Sequence, residues 1–181
     1  MMQSTTDNQF IEVIDTCKKI FLKKTADYGT SWRVYRMITV ADQLYIKAKR
    51  IRNIQENVVQ KIGDPIEDEF RGIVNYAIIG LIQLRITHDK WDLPVEEVAQ
   101  LYDESVRAAL DLLQKKNNDY GEAWRDMNQH GLTDLILAKI LRIRQILKND
   151  GKTLVSEGVD ANLYDILNYA VFALILMNNP D

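Results

Sequence analysis

The sequence predicts an all-α protein, a tandem duplication of a three-helix unit packed as a helical bundle with pseudo-twofold symmetry. Three observations carry this. The chain repeats itself at an offset of 92 residues, its apolar residues recur at helical spacing, and no stretch of regular apolar and polar alternation competes for strand. Of the 32 positions from 23 to 54, 13 are identical to their counterparts in 115–146, where unrelated segments would share about two. Lys23, Lys24, Asp27, Tyr28, Gly29, Trp32 and Arg33 fall on Lys115, Lys116, Asp119, Tyr120, Gly121, Trp124 and Arg125. Asp42, Lys47, Arg50, Ile51, Arg52 and Ile54 then fall on Asp134, Lys139, Arg142, Ile143, Arg144 and Ile146. One inserted residue later, Asn75, Tyr76, Ala77, Leu81 and Ile82 meet Asn168, Tyr169, Ala170, Leu174 and Ile175. Copy one is expected in 1–90 and copy two in 91–181, the matching parts being 10–86 and 102–178. The join from Thr87 to Pro94 is too brief for a flexible linker, so the copies should pack as one compact unit. Two copies of this length suggest equivalent halves rather than a solenoid.

Each copy reads as three helices. The first spans about Asp7 to Lys24, where Phe10, Ile11, Ile14 and Ile20 or Phe21 share a helical stripe; its counterpart begins at Pro94, a first-turn proline followed by Glu96 and Glu97. Both should stop near the Asp-Tyr-Gly sequence, where Gly29 and Gly121 can take the left-handed conformation. The second helices are expected over about Thr39–Lys61 and Leu132–Asn149, broken by Asp64-Pro65 and Asp150-Gly151. The third, about Pro65–Ile86 and Asp160–Met177, are strongly apolar and therefore central to the core.

Composition narrows the function. With 46% apolar and 27% charged residues, the chain can build a core and is neither collagen-like nor wholly disordered. Its formal charge of −3 argues against general nucleic-acid binding. Cys17 is the lone cysteine, and Met1 to Phe10 lacks the basic and apolar parts of a signal peptide, so a cytoplasmic location is expected. The longest near-continuous apolar stretch, Tyr169 to Met177, is well short of the roughly 18 residues a membrane span requires, and no membrane partner is expected. A homo-oligomer is compatible with all of this. Two histidines and one cysteine cannot make the usual zinc clusters, and neither a Gly-x-Ser-x-Gly elbow nor a glycine-rich phosphate loop occurs.

Polar residues repeated beside apolar ones need a reason. On an ideal helix, Arg50, Ile51 and Ile54 lie near −60°, +40° and −20° from Lys47, so lysine and arginine share the apolar face; Lys139 and Arg142 do the same. Either their stems cover the core edge while the heads reach water or pair with Asp42 and Asp134, or the heads line a groove that binds an anion, most plausibly phosphate. Arg52 and Arg144, on nearly the opposite face, read as surface or intercopy contacts. Lys24 and Lys116 suit the last turn of a helix, with ligand contact the lesser reading. Trp32 and Trp124 are core anchors with satisfied indole N–H groups, or platforms for a nucleobase; Tyr28 and Tyr120 share that ambiguity. Asp27 and Asp119 either accept backbone N–H bonds or offer a carboxylate to a ligand or metal. Asn75 and Asn168, on apolar helices, require partners, either a network between helices or a bound ligand. Asp165 lies one turn before Asn168, whereas copy one has Gly72 at the matching position.

The ordered set of Asp-Tyr-Gly, Trp-Arg, Lys-x-x-Arg-Ile and Asn-Tyr-Ala, present twice, resembles the nucleotide modification associated domain 1 family of bacterial and phage proteins. That resemblance implies nucleotide or modified-base metabolism, with a nucleotide or phosphorylated small molecule as partner. A fainter likeness is to the all-α MazG-like NTP pyrophosphohydrolases, whose Glu-x-x-Glu and Glu-x-x-Asp pairs hold Mg²⁺. Asp119 with Glu122 and Asn162 with Asp165 stand at those spacings, as do Asp27 with Thr30 and Glu69 with Gly72 in copy one. What this implies is Mg²⁺-assisted attack of water on a nucleotide phosphate, with Asp119, Glu122 and Asp165 as metal ligands and catalytic groups. Lys139 and Arg142 would neutralise the phosphate oxygens. Copy two is then expected to carry the better site. The alternative is a non-catalytic module that senses nucleotides or binds another protein.

Overall fold

The computed structural model describes residues 5–56 and 65–180. Among them six α-helices follow one another: α1 (Thr5–Tyr28), α2 (Met37–Gln55), α3 (Ile66–Arg85), α4 (Val95–Tyr120), α5 (Gln129–Lys148) and α6 (Val159–Asn178). Short 3-10 turns at Ser31–Val34 and Ala123–Asp126 carry the two Trp-Arg pairs. No strand occurs among the described residues.

The helix ends show which signals governed. α1 and α4 run past Lys24 and Lys116 through both Asp-Tyr pairs, because nothing before Gly29 and Gly121 opposes helix. Those glycines, at φ +68° and +65°, stop it where a side chain would be strained. The aspartates and tyrosines are thus helical residues, not turn residues. α3 and α6 lie within a residue of expectation. α5 begins at Gln129, ahead of Leu132, because Asn128 caps it by accepting from the Gly131 N–H at 2.9 Å. Pro94 is the residue before α4 rather than inside its first turn. α2 ends at Gln55, and positions 57–61 of its expected span lie outside the described residues.

The two copies meet along α2 against α5 and α3 against α6, while α1 crosses to α4 and α6, and α4 to α1 and α3. Each contact has its exchanged counterpart, as a twofold axis demands. Phe10, Phe70, Leu44, Ile51, Ile73, Ile78, Leu132 and Ile136 are fully buried, each contributing about 1.5–3 kcal/mol by leaving water. α6 is long and apolar enough by composition to cross a membrane, a length the apolar run from Tyr169 did not reveal; 67% of that window is buried inside the bundle.

The axis also explains one repeated pair. Arg144 reaches across to Asp42 at 2.7 Å, and Arg52 reaches to Asp134 at 3.6 Å. The intercopy reading of these arginines is correct, and Asp42 and Asp134 are not the partners of Lys47, Arg50, Lys139 or Arg142.

Candidate functional site

Each copy forms a cleft where the end of its first helix, its 3-10 turn and its third helix converge. In copy one, α1 supplies Lys24 and Tyr28, the turn supplies Trp32 and then Tyr35, α2 supplies Lys47, and α3 supplies Asp68, Arg71, Gly72, Asn75, Tyr76 and Ile79. Positions 68, 72, 75, 76 and 79 line up because helix neighbours recur every three or four residues. This cleft encloses about 440 Å³. In copy two the matching positions are Lys116, Tyr120, Trp124, Asp165, Asn168, Tyr169 and Phe172, and the space shrinks to about 130 Å³.

Asn75 and Asn168 are the common floor. Asn75 donates to the Cys17 carbonyl at 3.1 Å, and Asn168 donates to the equivalent Ala109 carbonyl at 3.4 Å, so both tie the third helix to the first. Their acceptor ends differ. Tyr102 Oη donates to Asn75 Oδ1 at 2.8 Å. The position equivalent to Tyr102 is Phe10, which has no hydroxyl, and Asn168 Oδ1 is buried without a partner. Trp124 Nε1 is likewise buried without one, against the expectation of a satisfied indole. Trp32 and Trp124 are both buried wall residues.

Charge separates the clefts further. In copy two, Asp165 accepts from Lys116 and Lys139, each at 2.7 Å. Burial works against this carboxylate, yet the hydrogen bonds and charges of the two lysines outweigh it and hold its pKa below the ordinary value. In copy one the acid stands one turn earlier, as Glu69, which Arg50 takes at 2.5 Å and Lys47 approaches at 3.6 Å. Lys47 is able to cross α3 because Gly72 has no side chain: a Cβ there would lie 2.8 Å from Lys47 Cε. Lys24 has no ion pair among the described residues. Arg71 pairs with Asp68 at 2.8 Å. Burial, then the neighbouring Tyr35 and Tyr28, push the Tyr76 phenol up to about 12, so it stays neutral and hydrogen-bonding.

The proposed metal set does not assemble. Asp119 is exposed on α4 and Asp27 is exposed on α1, and neither lines a cleft. Glu122 pairs with Arg125 at 2.6 Å and accepts from Thr6 of α1, so it fastens the copies rather than facing Asp165. Among the described residues no three His, Cys, Asp or Glu side chains come together as a metal cage. Asp165 is committed to two ammonium groups, and these residues do not fit a bound Mg²⁺. The spacing along one helix could not reveal this, because Asp119 and Glu122 straddle the Gly121 turn that rotates them apart.

The other expected binding residues divide. Lys47 lines the open cleft; Arg50 is engaged with Glu69 beside it. Lys139 and Arg142 face a separate, broad groove between α5 and residues 149–157, where Arg142 is exposed. The Trp-Arg arginines are not cleft residues: Arg33 grips the join through the carbonyls of His88 at 2.7 Å and Lys90 at 3.1 Å, and Arg125 grips Thr6 and Gln9 at 2.9 and 2.8 Å. Sequence reasoning missed Arg71 and Tyr35. The i, i+4 spacing of Arg71 and Asn75 was the available signal. The larger cleft lies in copy one, whereas in copy two Asp165 and Phe172 line a smaller one.

Searches of curated proteins and of solved structures each returned no match, and the likeness to MazG-like enzymes gains no support. A family model, nucleotide modification associated domain 1, matches residues 24–84 and again 116–177. Each match begins at the cleft lysine of its copy, Lys24 or Lys116, and takes in the turn, the second helix and nearly all of the third. With two matched segments covering both copies, the chain belongs to the nucleotide modification associated domain 1 family.

Proposed function

We propose that the chain binds a nucleotide, or a similar phosphorylated molecule with a flat ring, in the cleft of copy one. One observation carries the reading: a cleft of about 440 Å³ combines aromatic walls with three cations, Arg71, which pairs with the lining Asp68, Lys47, which lies 3.6 Å from Glu69, and Lys24, which has no ion pair among the described residues. That volume suits a small ligand. Tyr28, Trp32, Tyr35 and Tyr76 offer faces for a base, and ammonium and guanidinium groups suit phosphate oxygens. The family's association with nucleotide modification agrees with it.

The reading is one of binding. Hydrolysis through Asp119, Glu122 and Asp165 is not carried forward, because Asp119 is exposed and lines neither cleft, while Glu122 and Asp165 are each engaged with basic side chains. The test is a thermal-shift and calorimetric screen of nucleoside mono-, di- and triphosphates with and without Mg²⁺. A ligand that binds the folded chain raises its melting temperature, and Arg71→Ala should weaken that ligand while the fold persists. If no nucleotide binds across the panel, the proposal is wrong.

A further inference from the structure

The closed cleft of copy two shows what the open one lacks. Between Lys116 and Lys139 lies the Asp165 carboxylate, one oxygen on each ammonium at 2.7 Å. The same two lysines recur in copy one as Lys24 and Lys47, but Gly72 stands at the position of Asp165 and contributes no anion. Glu69 does not replace it: its near partner is Arg50 at 2.5 Å, with Lys47 at 3.6 Å. A second filling runs parallel. The Phe172 ring stacks on Trp124 at 4.4 Å between centroids and 8° between planes, where copy one has the smaller Ile79 beside Trp32. Copy two thus carries, on its own α6, an anion between the lysines and a flat ring on the tryptophan.

We infer that Asp165 and Phe172 are built-in stand-ins for the ligand of copy one, whose phosphoryl group sits in the cleft against the ammonium groups of Lys24 and of Lys47, the latter lying across Gly72, with its ring toward Trp32. This rests on the proposed nucleotide site and assigns the ligand's orientation within it. The physical reason is economy of charge. Two ammonium groups lining one space are best held by an anion that touches both; copy two supplies it covalently in Asp165, whereas in copy one Glu69 approaches only Lys47, at 3.6 Å, and Lys24 has no ion pair among the described residues.

The test exchanges the stand-ins between copies, with ATP and inorganic pyrophosphate as calorimetric probes. Wild type should bind one equivalent. Gly72→Asp should lower affinity for both probes by about tenfold or more, since a tethered carboxylate competes for the same lysines. Lys24→Gln, on an exposed position that the fold does not depend on, should weaken both probes in the same direction and decides the matter if Gly72→Asp fails to fold. Asp165→Gly with Phe172→Ile should open copy two and raise the stoichiometry toward two. If wild type binds ATP while Gly72→Asp and Lys24→Gln bind it equally well, the orientation is wrong and the nucleotide site stands. If wild type binds neither probe nor any nucleotide, the site itself falls and the orientation with it.

Discussion

The two clefts are made from the same helical positions, yet one holds about 440 Å³ and the other about 130 Å³. What they share is scaffold: the asparagine that ties the third helix to the first, the tryptophan wall, and the lysine pair. What separates them is a few side chains on the third helix, Gly72 against Asp165, Ile79 against Phe172 and Arg71 against Tyr164. A bundle core is close-packed, so the added carboxylate and ring occupy space that copy one leaves open. Repetition in this duplicated chain marks the positions that frame both clefts, and the positions where the copies differ decide how much of each cleft stays open.

The sharpest way to break this comparison is to remove the anion that closes copy two. Asp165→Asn should destabilise the chain by about 2 kcal/mol at neutral pH, less than the full cost of breaking a buried pair because Lys116 is more than half exposed. Since the folded carboxyl has a depressed pKa, its stabilisation is present above the unfolded value near pH 4 and is lost as pH falls through the lower folded value. The melting difference between variant and wild type should shrink over that acid range. An equal difference at every pH would show that charge is not what closes the cleft.

Next in size is the asparagine floor. Tyr102→Phe strips Asn75 Oδ1 of its donor at 2.8 Å and should cost about 1–2 kcal/mol in denaturant unfolding. The reverse change in the other copy, Phe10→Tyr, offers a donor to the unpartnered Asn168 Oδ1 and should gain up to about 1 kcal/mol. Loss of stability in Phe10→Tyr would mean that the hydroxyl does not fit and that the axis relates the floors less closely than the Cys17 and Ala109 contacts imply. The smallest effect is expected at the rim of the axis. Arg144→Ala, which releases Asp42 and the Tyr45 ring, should cost less than about 1 kcal/mol and less still at high salt. A loss that ignores salt would assign the stability to ring packing alone.

Much of the architecture was legible because helices are encoded locally. Gly29 and Gly121 stop helices for a reason contained in their own backbone, and the apolar stripe of α3 and α6 marks a core helix without reference to its neighbours. The angle of Arg52 and Arg144 on the helix placed them off the apolar face, as surface or intercopy contacts, and the fold showed the intercopy pairs. The site was only partly legible. Lys47, Trp32 and Asn75 were singled out by repetition, whereas Asp119 and Glu122 were paired only by the spacing of the MazG-like motif, which takes no account of the Gly121 turn between them.

By itself, then, the sequence determined the all-α class, the duplication, the order of helices and the family, all of which depend on periodicity and register. Tertiary structure alone decided which copy keeps an open cleft and which carboxylate meets which lysine. Those outcomes depend on side chains from α1, α2 and α3, or from α4, α5 and α6, converging within a few ångströms, and on whether a glycine or a ring stands at the meeting point. Gly72 reads along the chain as an acid lost; in space, it is the gap across which the Lys47 side chain reaches the cleft.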